Sequence, residues 1–206
     1  MIKVRTFLVR VDSGRYVGVA LTSGGELACN TIPLRGRAEA DAELRASCVR
    51  AWRDVEFCEG PPSPLAEDVA NRVLKLFFAR PANLIGPLLK PSERVRRVLE
   101  TVYAIPPGRV ATYSAVARLS GTSPRMAGLA LSKNPFPLVI PCHRVVRADL
   151  SLGGYSYGEV IKADLLVREG VEVDLRSGKV DPRFLVSERE LNKRRLLARP
   201  WWGSPV

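Results

Sequence analysis

The sequence predicts a small α/β domain, an antiparallel sheet with helices, followed by a mostly α-helical domain that contains a helix-turn-helix. Within residues 1–34, runs of alternating apolar and polar side chains are separated by Gly-containing turns, which is typical of hairpin strands. Residues 64–77 carry apolar side chains at the spacing of one helix face. Residues 112–133 hold two short helical patterns on either side of Gly121, as in a helix-turn-helix.

The chain divides at a proline-punctuated stretch, residues 81–91, which we interpret as a linker. We therefore expect residues 1–80 to form the first domain and residues 92–175 the second. Residues 176–206 form a basic C-terminal extension that ends with a Pro-Trp-Trp motif at residues 200–202. This tail could contact DNA or another chain, but because tryptophans usually bury their rings, we expect it to dock on the body of the protein.

Local patterns predict the elements of the first domain. A stretch rich in Ala, Glu and Arg predicts a helix over residues 37–57. Ser63 is expected to cap the next helix, with Pro64 at its first position. The strands that precede these helices are predicted over residues 3–11, 16–21 and 27–32.

The second domain begins at Ser92, a predicted N-cap, and its first helix stops at Ile105-Pro106-Pro107-Gly108. Thr112 is predicted to cap the first helix of the helix-turn-helix, and Thr122-Ser123-Pro124 to cap the second. A glycine-rich loop over residues 149–158 follows the only histidine. The remaining predictions are a helix over residues 160–169, a hairpin over 171–180 and a basic helix within 184–206.

Composition favours an intracellular protein with a polyanionic partner. Lysine and arginine number 32 against 21 acidic residues, a net charge of +11, which favours nucleic acid first and an anionic membrane surface second, with a merely soluble basic protein as the alternative that charge leaves open. No apolar run is long enough to span a membrane, and residues 1–10 alternate like a strand and do not resemble a signal peptide. We therefore expect a cytoplasmic protein without a membrane partner. Abundant Arg and Pro with no glutamine resembles a thermophile composition.

The four cysteines do not predict a metal site. Their spacing fits no zinc pattern, and a single histidine cannot complete a Cys-His site. We expect neither a metal nor a cofactor. Cys29, Cys48 and Cys58 are expected to be buried thiols, with a disulfide among them left open for a hyperthermophile source.

Cys142 stands next to His143, the single histidine. A neighbouring imidazole can take the proton of a thiol and leave the nucleophilic thiolate. Neighbours on a strand point to opposite faces, however, so the pair alone is weak evidence, and a buried, inert thiol beside a surface histidine is the more common arrangement. The motifs around the pair decide between these interpretations.

The second helix of the helix-turn-helix is unusual for a reader of the major groove. It offers Ala127, Gly128 and Ala130 where a base reader offers Arg, Asn or Gln. Small residues suit a close approach to the minor groove, and Arg125 at the start of the helix could enter the base stack. An ordinary α-hairpin in a core is the alternative.

Five motifs together resemble the O6-alkylguanine-DNA alkyltransferases, the methylated-DNA–protein-cysteine methyltransferase family. They fall in the family's order and spacing over roughly residues 92–170, so a chance match is improbable. They are Ile105-Pro-x-Gly108-x-Val110-x-Thr-Tyr113, Arg125-x-x-Gly-x-Ala130-x-x-x-Asn134-Pro135, Pro141-Cys142-His143-Arg144-Val145, Gly153-Gly154-Tyr155 and Lys162-x-x-Leu165-Leu166-x-x-Glu169-Gly170.

The resemblance implies roles for individual residues. Cys142 resembles the alkyl acceptor, His143 the base that activates it through a water, and Glu169 the carboxylate that orients the histidine. Tyr113 resembles the hydroxyl that protonates N3 of the leaving guanine. The resemblance assigns DNA and base binding to Arg125, which fills the stack of the flipped base, and to Asn134, Val145, Ser156 and Tyr155. The small residues Ala127, Gly128 and Ala130 are expected to bind DNA as well, from their position on the second helix.

The resemblance also implies a function. A monomer would bind double-stranded DNA containing O6-alkylguanine, flip the base and move the alkyl group once, irreversibly, onto its cysteine, with O4-alkylthymine as a second candidate lesion. One departure is Tyr157, where the family often has glycine, and it bears on the size of alkyl group accepted. The alternative is a non-catalytic helix-turn-helix protein that binds DNA or senses lesions, and a cysteine hydrolase is a third interpretation.

Overall fold

The computed structural model describes residues 1–61, 63–82, 87–197 and 202. These residues form two compact units. The N-terminal unit contains the described residues up to Pro91 together with Lys133–Val139 and Trp202. The C-terminal unit contains Ser92–Ser132 and the described residues from Ile140 onward.

A four-stranded sheet forms the centre of the N-terminal unit, in the order β3-β2-β1-β4. β1 pairs antiparallel with β2, and β2 with β3, which confirms the three predicted hairpin strands. β4 pairs in parallel with β1 and forms the edge of the sheet. The strands are β1 (Ile2–Val11), β2 (Arg15–Thr22), β3 (Leu27–Asn30) and β4 (Val55–Glu59).

Two helices pack on this sheet. α1 (Arg37–Ala51) is shorter than predicted, because the chain becomes extended at Trp52 and Val55 begins β4. The expectation of a helix to residue 57 is therefore wrong, and the pairing of β4 with the distant β1 overrides the local helix pattern. α2 (Pro64–Phe77) begins as predicted, with the Ser63 hydroxyl accepting a hydrogen bond from the Ala66 amide at 3.3 Å.

The C-terminal unit is mostly helical, so the predicted fold class is confirmed for both units. The helix-turn-helix begins where the Thr112 hydroxyl accepts from the Ala115 amide at 3.1 Å, and it turns at Gly121, whose φ of +67° favours glycine. The Ser123 hydroxyl caps the second helix by accepting from the Met126 amide. The elements are α3 (Glu93–Tyr103), β5 (Ala111–Thr112), α4 (Tyr113–Ser120), α5 (Pro124–Ser132), a 3-10 helix (Cys142–Arg144), β6 (Val145–Val146), α6 (Glu159–Arg168), β7 (Val173–Asp174), β8 (Lys179–Val180) and α7 (Glu188–Leu197).

The segment Lys133–Val139 is anchored in the N-terminal unit. The buried Asn30 donates its amide N–H to the carbonyl of Pro135 and its side-chain N–H to that of Pro137, both at 3.0 Å. Phe136 is fully buried and packs against Trp52, with ring centroids 6.4 Å apart. Trp202 packs on Phe136 at 6.2 Å, so this part of the tail docks as expected, whereas Trp201 lies outside the described residues.

All four cysteines lie in the described part of the chain, and none of them is in a disulfide. Cys29 and Cys48 are buried as expected, and burial raises the pKa of Cys29 well above its ordinary value. Cys58 is exposed on β4, which corrects the expectation that it is buried. None of the helices among the described residues has the length and apolar character needed to cross a membrane.

Candidate active site

A cavity of about 340 Å³ in the C-terminal unit has Cys142 in its wall. Tyr113 reaches the cavity from the first residue of α4, which follows β5 directly. Cys142 is the first residue of the 3-10 helix that leads into β6, the partner strand of β5. The cavity is lined by Tyr113, Gly128, Leu131, Ser132, Cys142, Gly154, Tyr155 and Ser156.

His143 lies beside Cys142 in a buried network of charged groups. Its Nε2 is 3.0 Å from Oε1 of Glu169. Arg144 donates to the same carboxylate through two bonds, from Nε to Oε2 at 2.8 Å and from Nη2 to Oε1 at 2.7 Å. All three side chains are less than a tenth exposed, so their interactions are screened little by solvent.

The network fixes the charge of Glu169. Burial on its own raises the pKa of this carboxyl, but the hydrogen bonds from His143 and Arg144, the positive charge of Arg144 and, in acid, that of protonated His143 outweigh burial and lower the pKa to about 2. Glu169 is therefore ionised at neutral pH and can only accept hydrogen bonds.

The same network fixes the tautomer of His143. Burial lowers the pKa of this imidazole despite the neighbouring Glu169, so the ring is neutral at pH 7. Because Glu169 accepts at Nε2, the ring proton belongs there and Nδ1 carries a lone pair. Nδ1 is buried without a hydrogen-bond partner among the described residues, which leaves it available to take a proton.

The loop before β5 supports this network. Arg144 donates from Nη1 to the carbonyl of Ile105 at 2.6 Å. Gly108 approaches Glu169 closely: its φ is +73°, and a Cβ would lie 3.1 Å from the Glu169 carbonyl oxygen. Arg144 has no assigned role in the sequence interpretation, although its place beside His143 in the motif was the signal that could have identified it.

Tyr113 is a phenol that stays protonated. Burial raises its pKa, and the nearby Cys142 raises it further. A protonated hydroxyl in the cavity can donate a hydrogen bond or a proton to a ligand. Gly128 of α5 leaves space beside it, since a Cβ there would lie 4.0 Å from the Tyr113 ring.

The buried Lys162 is a second residue that the sequence interpretation left without a role. Its Nζ donates to the carbonyls of Val145 at 2.6 Å and Leu152 at 2.5 Å. Burial lowers its pKa to about 8. Lys162 thus ties the strand after Cys142 to the glycine-rich loop. Val145 is fully buried and offers only its backbone to a ligand, and its carbonyl retains a second lone pair.

The glycine-rich loop brings Tyr155 and Ser156 to the cavity. The Tyr155 hydroxyl is buried without a hydrogen-bond partner among the described residues, and burial raises its pKa well above the ordinary value. Tyr157 packs on Tyr155, a residue of the cavity wall, with ring centroids 5.7 Å apart. Ser156 is exposed.

On α5, the second helix of the helix-turn-helix, the residues that face solvent are not the ones expected. Ala127 and Ala130 are buried, at 0% and 3% exposure, so they pack in the core of the unit and cannot present their side chains to DNA. This corrects their assignment to DNA binding. Arg125 is exposed near the start of α5, and Leu129 is 49% exposed. The choice of face depends on packing, which small residues alone do not indicate.

Asn134 belongs to the segment held in the N-terminal unit. Its Oδ1 accepts a hydrogen bond from the Phe136 amide at 3.1 Å. The site residues that line the cavity are thus Cys142, Tyr113, Gly128, Tyr155 and Ser156. His143, the next residue in the chain, pairs with Glu169 in the buried network, and Arg125 and Asn134 do not line the cavity.

Comparison with known proteins points to one family. Residues 93–171 match the sequence model described as "6-O-methylguanine DNA methyltransferase, DNA binding domain". A methylated-DNA–protein-cysteine methyltransferase of Methanocaldococcus jannaschii is 40% identical over 159 residues, covering 75% of this chain and 87% of that protein. One of Methanothermobacter thermautotrophicus is 55% identical over 83 residues, covering 40% of this chain and 47% of that protein.

A solved structure shows a similar fold. The O6-methylguanine-DNA methyltransferase from Pyrococcus kodakaraensis strain KOD1 aligns with a TM-score of 0.57 at 29% identity. The alignment covers 83% of this chain and 100% of that one. The similarity therefore extends well beyond the residues that the family's sequence model matches.

Proposed function

The chain belongs to the methylated-DNA–protein-cysteine methyltransferase family, and we propose that it repairs DNA by moving the alkyl group of O6-alkylguanine onto its own Cys142. One observation carries this proposal most directly. Cys142 lines a cavity together with the protonated Tyr113, and the next residue is a buried, neutral histidine oriented by an ionised glutamate. A nucleophile, a base and an acid thus occur at one site.

His143 generates the nucleophile. A water between the Cys142 thiol and the Nδ1 lone pair of His143 would carry the thiol proton to the imidazole. Glu169 stabilises the imidazolium that forms, because its Oε1 already accepts at Nε2. Arg144 keeps this carboxylate ionised and in place through its two hydrogen bonds.

Alkyl transfer is then a displacement at carbon. The Cys142 sulfur forms a bond to the alkyl carbon as the bond between that carbon and guanine O6 breaks. The electron pair of the broken bond passes into the purine ring, and Tyr113 gives a proton to N3, so that neutral guanine leaves. Tyr113 regains a proton through the imidazolium of His143, which balances the proton lost by the thiol. The thioether has no easy route back to a thiol, so each molecule acts once.

DNA is the proposed partner, and the chain would meet it in the cytoplasm as a monomer. The net charge of +11 favours association with phosphates, and the helix-turn-helix supplies the exposed Arg125. The target base must leave the duplex to reach Cys142. A cavity of about 340 Å³ lies at the small end of the range for ligand pockets, which suits a single flipped base.

Stoichiometry tests the proposal. When increasing amounts of duplex DNA with a radiolabelled O6-methylguanine are added, label on the protein should rise to one methyl group per chain and then stop. Cys142→Ala should remain folded and take up no label. Continued loss of lesion beyond one per chain would indicate a true turnover enzyme, such as a hydrolase. Binding without any transfer would favour the non-catalytic lesion-sensing alternative.

A further inference from the structure

Residues after 171 lie outside the matched family model, yet they extend the sheet next to the active site. The amide of Val110 donates to the carbonyl of Phe184, and the amide of Val186 donates to the carbonyl of Val110, both at 2.9 Å. Leu185 thereby forms a parallel bridge with Val110. We name Phe184–Leu191 the C-terminal brace.

The brace forms hydrogen bonds with the backbone of Val110, the residue that precedes β5. Ala111 and Thr112 of β5 pair with β6 on one side, and Val110 pairs with the brace on the other. Val110 is fully buried with the brace in place, and the brace provides hydrogen-bond partners for both its N–H and its carbonyl. The brace therefore extends this two-stranded sheet by a single bridge, between Leu185 and Val110.

Side chains hold the brace in place. Phe184 packs on the buried cluster that includes Val110, Val146 and Leu166. Leu191, in α7, is fully buried, and α7 packs against α3 and α4. Glu188 forms an ion pair with Arg118 of α4, the first helix of the helix-turn-helix. The brace thus contacts both β5 and the helix that β5 leads into.

The sheet that the brace extends carries the two reactive groups of the cavity. The 3-10 helix that begins at Cys142 leads into β6. Thr112, at the end of β5, caps α4, and Tyr113 is the first residue of that helix. The position of Val110 therefore sets the position of Tyr113 through only two intervening residues.

We propose that the C-terminal brace is a positioning element for alkyl transfer, which holds β5 so that the Tyr113 hydroxyl can protonate the leaving base. This inference rests on the proposed function. Val186 and Leu191 act through Tyr113 and do not touch the reacting atoms themselves.

Two alkylating agents separate this role from simple stability. Free O6-benzylguanine needs a proton on its leaving base, whereas iodoacetamide releases iodide, which needs none. Val186→Pro removes the amide that donates to Val110. It should slow benzyl transfer to Cys142 on the order of tenfold through misplacement of Tyr113. The reaction of iodoacetamide at the Cys142 peptide should proceed at the wild-type rate. Tyr113→Phe should also slow benzyl transfer.

A matched pair of leucines on α7 provides a second test. Leu191 is fully buried, whereas Leu196 is 62% exposed. Leu191→Ala should slow benzyl transfer selectively, and Leu196→Ala should match the wild type, with thermal melts confirming that each variant is folded at the assay temperature. Equal slowing of both reagents, or unchanged benzyl transfer in both Val186→Pro and Leu191→Ala, would overturn the inference. A wild-type protein that accepts iodoacetamide but no benzyl group would overturn the proposed function as well.

Discussion

At the scale of residues, His143 acts as the base, and Glu169 orients its imidazole ring. Glu169 is ionised and fixes the proton of His143 on Nε2, so that only Nδ1 can accept the thiol proton. The sequence motif indicated both residues, because it carries them in the family's spacing. It did not reveal that Arg144 neutralises the same carboxylate, since that contact requires the folded positions of Arg144 and Glu169.

The low pKa of Glu169 predicts how stability depends on pH. Its folded pKa of about 2 lies below the ordinary value of 4.5, so the stability that it contributes is complete above about pH 4.5 and is lost as pH falls toward 2. Glu169→Gln should lower the free energy of unfolding at pH 7 by about 3 kcal/mol, because Arg144 loses its buried partner. The variant should also lack the part of the acid loss between pH 4.5 and 2 that titration of this carboxylate causes.

Chemical denaturation at a series of pH values measures this effect. Glu67→Gln, at an exposed position of α2, is the matched control and should follow the wild-type curve. The lowered pKa of His143 adds a loss of stability below about pH 6.5 in all three proteins, and this loss is larger in Glu169→Gln, because the hydrogen bond and charge of Glu169 raise that pKa in the wild type. Identical acid slopes in Glu169→Gln and the wild type would contradict the role given to the carboxylate.

At the scale of elements, sequence reasoning succeeded where the signal is local. Thr112, Gly121 and Ser123 bound the helix-turn-helix as their capping and turn chemistry predicts. It failed where distant segments decide the outcome. β4 forms because β1 pairs with it, and the side of α5 that faces solvent is set by packing that buries Ala127. The pairing of the C-terminal brace with Val110 is equally non-local.

The exposed start of α5 predicts a defect specific to duplex DNA. Arg125→Ala should slow the repair of O6-methylguanine in a duplex on the order of tenfold, because base flipping costs a few kcal/mol that the arginine helps to offset. Its reaction with free O6-benzylguanine should be unchanged, since Arg125 does not line the cavity. Single-turnover kinetics on the two substrates measures the difference.

An exposed arginine on α3 provides a control that tests whether the loss of one positive charge alone explains the effect of Arg125→Ala. Arg94→Ala removes the same positive charge from another exposed helix position of the C-terminal unit. It should slow duplex repair less than Arg125→Ala does. If Arg125→Ala impairs both substrates equally, Arg125 does not act in base flipping.

At the scale of the whole molecule, the basic charge and the family membership agree on DNA as the partner, and the reactive groups lie together in the C-terminal unit. The sequence could indicate this unit because five motifs fall within it. The contribution of the C-terminal extension could not be predicted from the sequence, since the burial of Val186 and Leu191 is evident only in the folded unit.

The location of the transferred methyl group shows whether Cys142 is the acceptor. The protein is incubated with duplex DNA containing O6-methylguanine and digested, and its peptides are analysed by mass spectrometry. We predict one methyl group on the peptide that contains Cys142, with unmodified peptides for Cys29, Cys48 and the exposed Cys58, and guanine restored in the DNA. An unmodified Cys142 beside an intact lesion, or a methyl group on Cys58 alone, would contradict the account.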